Sequence, residues 1–104
     1  MSKVDKFKAI YRILSCLEKS IDIESPNWRE QFSAEGLDIP EPRFTNILRM
    51  LSECGYITGI QIQQTAMGGH RAGIFDPAIT LQGLEYLSGN PNMEAARRAA
   101  QGIK

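Results

Sequence analysis

Residues 40–64 leave this chain few folds to choose from. Phe44, Ile47, Leu48 and Leu51 recur at i, i+3, i+4 and i+7, the apolar stripe of an amphipathic helix. Pro42 suits the first turn of that helix, where the N–H it lacks would have no partner anyway. Gly55 supplies a left-handed stop. The spacing predicts a helix over about 41–54. Residues 56–64 follow without a spacer, rich in β-formers and alternating from Ile60, and predict a strand. Met67-Gly68-Gly69-His70-Arg71-Ala72-Gly73 reads as a turn. Residues 74–79 read as a second, poorer strand, which Pro77 confines to an edge or interrupts.

Helical periods flank this unit. Phe7, Ile10, Leu14 and Leu17 predict a first helix over about 4–19, with Asp5 near its positive end. Ser33-Ala34-Glu35-Gly36-Leu37 reads as a short capped turn of helix. Residues 20–32 divide between two readings: a helix opened by Ser25-Pro26, with Trp28 and Phe32 on one core face, or an extended stretch. Thr80 caps a helix with Leu81, Leu84 and Leu87 as its core face. Gly89-Asn90-Pro91 ends that helix, and Asn92 caps a last one running to about Gln101.

The order predicts an α+β fold, a winged helix-turn-helix. It comprises a three-helix unit, a β-hairpin wing with its tip at 65–73, and additional C-terminal helices. The helix-turn-helix occupies 33–54, with Leu37-Asp38-Ile39-Pro40 as its turn. At 104 residues the chain matches one domain, 1–104. Within it the helix at 91–102 is peripheral or serves self-association, and a homodimer would suit a palindromic site.

Three segments also carry a family resemblance. Met50-Leu51-Ser52-Glu53-Cys54-Gly55-Tyr56-Ile57-Thr58-Gly59-Ile60 resembles the run Met-Leu-x-x-x-Gly-Tyr-Ile-x-Gly of the bacterial and phage YjcQ-like proteins. So does Ile79-Thr80-Leu81-Gln82-Gly83-Leu84-Glu85-Tyr86-Leu87, and so does the Ala-rich ending on Gly102-Ile103-Lys104. The similarity covers most of residues 33–104. It implies a winged-helix fold and a DNA-binding or regulatory role, and supplies no reaction or ligand.

Charge argues the other way at first. Lysine plus arginine number 12 and aspartate plus glutamate 12, a formal net charge of zero, whereas dedicated DNA-binding domains are often basic. The distribution is uneven, however. Lys3, Lys6, Lys8 and Arg12 crowd the first helix, Arg43 and Arg49 share a later one, and acidic residues fall between.

On the helix at 41–54, an inward Phe44, Ile47, Leu48 and Leu51 turns Arg43, Asn46, Arg49, Met50 and Glu53 outward. Arginine pairs bidentately with guanine and asparagine with adenine. Thr45, at the margin of that face, is in reach of a phosphate. The same residues would equally make up the solvated face that every amphipathic helix has. In the wing, His70 and Arg71 beside flexible glycines suit the DNA backbone or minor groove, or are ordinary turn residues. Lys3, Lys6, Lys8 and Arg12 read as a solvated face or a phosphate grip.

Cys16 and Cys54 lie in apolar helical patterns and are expected to be buried and reduced. A single histidine leaves little for a histidine-based metal site. No Cys-x-x-Cys, His-Glu-x-x-His or Gly-x-Ser-x-Gly occurs, and Gly68-Gly69 lacks the phosphate-loop spacing. No apolar run approaches the ~18 residues of a membrane span. The expectation is a cytoplasmic protein, not an enzyme, without cofactor or metal. Its partner is double-stranded DNA, bound through Arg43, Thr45, Asn46, Arg49, His70 and Arg71. The alternative is a winged-helix module that binds another protein.

Overall fold

The computed structural model describes residues 3–23 and 32–100. The expectations for Ser25-Pro26 and Trp28 lie outside the described residues. In chain order the elements are α1 (Lys3–Ser20), α2 (Ala34–Leu37), α3 (Glu41–Glu53), β1 (Ile57–Gln64), β2 (His70–Ile79), α4 (Leu81–Gly89) and α5 (Pro91–Ala100). The fold is α+β: five helices and one antiparallel hairpin among the described residues, compatible with a winged helix carrying extra C-terminal helices.

One core joins the layers. Ile13, Leu14 and Leu17 of α1, Leu48 of α3, Ile57 of β1 and Met93 of α5 are fully buried together. Helix α5 is not peripheral: it packs on α1 and α4 and buries Met93 and Ala96. Its first turn is capped by Asn90, whose Oδ1 accepts from Asn92 N at 2.8 Å, so the cap lies two residues before the expected Asn92. Arg97 and Arg98 both pair with Glu94 on the same helix.

Short helix α2 is fixed at both ends. Ser33 Oγ accepts from Gly36 N at 2.9 Å, the expected N-cap. At the other end Asp38 adopts φ 58° and Ile39 N donates to Ala34 O at 2.8 Å. That six-to-one closure needs a left-handed residue, which aspartate tolerates better than most. Helix α3 ends the same way, with Gly55 at φ 80° and Tyr56 N donating to Leu51 O at 2.9 Å.

The hairpin pairs Ile57 with Ile79 and Thr58 with Ala78, then resumes two residues out of step, with Ile60 on Ile74 and Gln64 on His70. Gly59, at φ 81°, lies against the surplus residues of β2. A Cβ there would stand 2.6 Å from Phe75 O. Pro77 is buried at this bulge, a place where a strand tolerates proline. β2 begins at His70, four residues before the expected start, so His70 and Arg71 belong to the ladder rather than the tip. The tip is residues 65–69, closed by Thr65 N donating to Gly69 O at 2.8 Å.

The root of the hairpin is tied to α4. Thr80 Oγ1 donates to Gly55 O at 2.6 Å and accepts from Gly83 N at 3.1 Å, while Thr80 N donates to Tyr56 O at 2.9 Å. Tyr56 and Tyr86 stack with centroids 4.9 Å apart. The expected core face of α4 is only partly right. Leu84 and Leu87 are half-buried, but Leu81 is 80% exposed. At Gly83 the helix approaches Tyr56, just before β1, and Ile79 at the end of β2, where a leucine-sized side chain has no room.

Candidate nucleic-acid interface

Helix α3 and the wing enclose an open groove of about 1090 Å³. Its floor is apolar: Phe44 packs edge-on against Phe32, centroids 5.7 Å apart, and Ile74 faces it from β2. Asn46 from α3 and His70 and Arg71 from β2 are exposed and line the same groove. Ladder pairing sets the last two, His70 opposite Gln64 and Arg71 opposite Gln63. A strand holds their Cα positions more firmly than the glycine loop anticipated from the sequence. Glu35 and Glu41 line the α2 side, so the groove carries both charge signs.

Thr45 also lines the groove but is only 8% exposed, which corrects its expected place at the margin. The wing folds over that flank of α3, leaving Thr45 in the floor with little of its surface for a phosphate.

Neither Arg43 nor Arg49 lines the groove. Arg43 is half-buried and lines a smaller cavity with Lys8 and Arg12 of α1. Arg49 Nη1 lies 3.5 Å from Glu53 Oε2, one turn on. Arg49 Nε is buried with no hydrogen-bond partner among the described residues. Thus one guanidinium stands beside two other cations, and the other is partly neutralised. Met50, 48% exposed, sits between these flanks on the outward face.

Sequence spacing missed the role of Arg12. Its Nη1 donates to Leu37 O and Asp38 O, both at 3.1 Å, tying α1 to the end of α2 and the turn before α3. The partners lie 25 and 26 residues away, beyond any local pattern. Cys54 corrects another expectation, being exposed at the end of α3. Cys16 is half-buried, and burial raises its thiol pKa above the ordinary value despite the nearby Lys19. No disulfide joins the two.

Among the described residues no group of three or more His, Cys, Asp or Glu is placed to hold a metal, and no helix is long and apolar enough to cross a membrane. Comparison with known proteins returns one family, whose profile, described as YjcQ protein, matches residues 11–104. No curated protein and no solved structure matches the chain. With its run from Met50 to Ile60 and its Thr80–Leu87 segment inside that match, the chain belongs to the YjcQ family.

Proposed function

We propose that this protein binds double-stranded DNA, presenting the outward face of α3 to the major groove and the start of β2 to the adjoining backbone. The observation that supports this reading best is the convergence of Asn46, His70 and Arg71 on one open groove. Asparagine matches the N6 and N7 edge of adenine, and arginine on a strand beside the reading helix suits a phosphate. Arg43, on the other flank of α3, extends the cationic contact toward α1. A regulatory role follows if the binding is sequence-selective.

Anisotropy of labelled random-sequence duplex, titrated at low and then moderate salt, tests the proposal. Binding should weaken with salt. Arg71→Ala should weaken it on every sequence, and Asn46→Ala should cost about 1–3 kcal/mol only on a selected site. No binding at low salt, where phosphate attraction is strongest, refutes it.

A second reading, a module that binds protein, has specific support. Met50 is exposed in the middle of the α3 face, Arg49 is paired with Glu53, and Glu35 and Glu41 would repel phosphate. Failure of DNA binding together with a partner sensitive to Met50→Asp would favour it.

A further inference from the structure

We infer that Lys8, Arg12 and Arg43 form a binding site for a single phosphate group, separate from the groove between α3 and the wing. The three side chains come from α1 and α3 and line one cavity of about 190 Å³. Ala9, Ile39 and Pro40 supply its apolar walls, and among the described residues Asp38 is the only acidic one lining it. Three cations against one carboxylate leave a surplus of two positive charges. The cavity is open to solvent and roomy enough for a tetrahedral oxyanion.

Preorganisation distinguishes this cluster from a solvated basic face. Arg12 Nη1 is committed to Leu37 O and Asp38 O, which hold the guanidinium in place and leave its Nε and Nη2 hydrogens for a ligand. Lys8 and Arg43 are both half-buried, yet neither makes an ion pair among the described residues. Partly desolvated cations without a counter-ion attract a phosphate more strongly than freely hydrated ones do. Lys8 and Arg12 sit at i, i+4 on one face of α1, so the helix itself sets their separation. Lys6, on the same helix, does not line the cavity.

The site rests on the DNA reading only for the source of its phosphate, a duplex backbone or a free oxyanion. In the first case Arg43 is a phosphate contact and not a base reader, contrary to the role its residue type suggests.

Two titrations of the full chain test this. In the first, inorganic phosphate is added at constant ionic strength against a chloride control, and the backbone amide signals of Ala9, Ile39 and Arg43 are followed by NMR. Phosphate should shift them saturably and chloride should not. Lys8→Gln/Arg43→Gln should weaken that response about tenfold or more, as expected on losing charge-assisted contacts. Lys19→Gln, which removes one charge roughly 16 Å further along α1 at 1.5 Å per residue, should not. Neither Lys8 nor Arg43 makes an ion pair among the described residues, so the double variant should keep the native spectrum.

In the second titration, the salt dependence of duplex binding is compared between native protein and double variant. Loss of one phosphate contact should reduce the slope of log K against log salt by about 0.9. A saturable phosphate response with this slope change supports a site occupied by the DNA backbone. A saturable response without any duplex binding supports the site with a free oxyanion as ligand, and only the DNA reading fails. Phosphate shifts no larger than those of chloride overturn the inference, whatever the duplex does.

Discussion

Gly83→Ala should destabilise the protein, although the same change in most helices would stabilise it. Gly83 lies inside α4, where alanine is favoured over glycine by about 0.8–1.0 kcal/mol. Here the added Cβ would fall 2.3 Å from Tyr56 O and 2.7 Å from Ile79 Cγ1. Relief of the first contact to even 3.0 Å needs about 0.7 Å of movement between two backbone segments. Overpacking of that kind costs about 1–3 kcal/mol. Tyr56 O also accepts from Thr80 N, and Thr80 caps α4 through Gly83 N, so the shift endangers both contacts. A hydrogen bond contributes about 0.5–1.5 kcal/mol and an N-cap about 1 kcal/mol. Set against the helix gain, the net loss is about 1.5–4.5 kcal/mol, and the thermal midpoint should fall by roughly 10 °C or more. Gly89→Ala is the control, because a Cβ there meets nothing within 4 Å. It should be neutral or stabilise by up to ~1 kcal/mol. Thermal and urea unfolding followed by circular dichroism measure both variants. If Gly83→Ala matches or exceeds the native stability, the close docking of α4 on Tyr56 and Ile79 at the root of the hairpin is wrong.

Three further outcomes follow from local contacts. Thr80→Val should lose about 1–3 kcal/mol in urea unfolding, since it removes the cap on Gly83 N and leaves Gly55 O without its donor. Arg49→Met should hold stability level or raise it by about 1 kcal/mol. It removes a buried Nε that has no partner among the described residues, whose burial costs about 1–3 kcal/mol, and gives up an exposed helical pair worth about 0.3–0.5 kcal/mol. A clear fall in its unfolding midpoint would mean that the guanidinium has a partner. Glu94 has its carboxyl pKa lowered, first by its hydrogen bond with Arg97 and then by the charges of Arg97 and Arg98. Its folded value lies below its unfolded one, so its stabilisation is present above the ordinary carboxylate range and disappears as pH falls through the lowered value. Native protein should therefore lose more stability than Glu94→Gln across that acidic window, and parallel curves would contradict the pairing.

Much of the fold is legible locally because its boundaries depend on local chemistry. Pro42 and Gly55 bracket α3, Ser33 and Thr80 cap α2 and α4, and each performs in the structure the task its residue type suggests. The misplacements have nonlocal causes. Glycine-rich residues 67–73 suggest a loop, but backbone pairing continues through Gly73 because the ladder needs no side chain. Thr45 lies between the core and outward faces of α3, and only the wing folding over that flank decides its burial. Leu81 keeps helical spacing with Leu84 and Leu87, yet close contact at Gly83 turns the first turn outward. The candidate site was legible as residue types but not as groupings. Asn46, His70 and Arg71 share the main groove, while Arg43 joins Lys8 and Arg12 instead.

The hairpin behaves mechanically as a cantilever. One end is clamped by the Thr80 hydrogen bonds, and a fixed bend is set where Gly59 meets Phe75, Asp76 and Pro77. The free end carries Met67, 94% exposed. Reach and angle are therefore controlled by different residues. Additional residues between Met67 and Gly68 would lengthen the beam, and each doubling of a loop costs only about 0.6 kcal/mol. A change at the bend would swing the whole arm and open or close the groove beside α3 with the tip sequence intact.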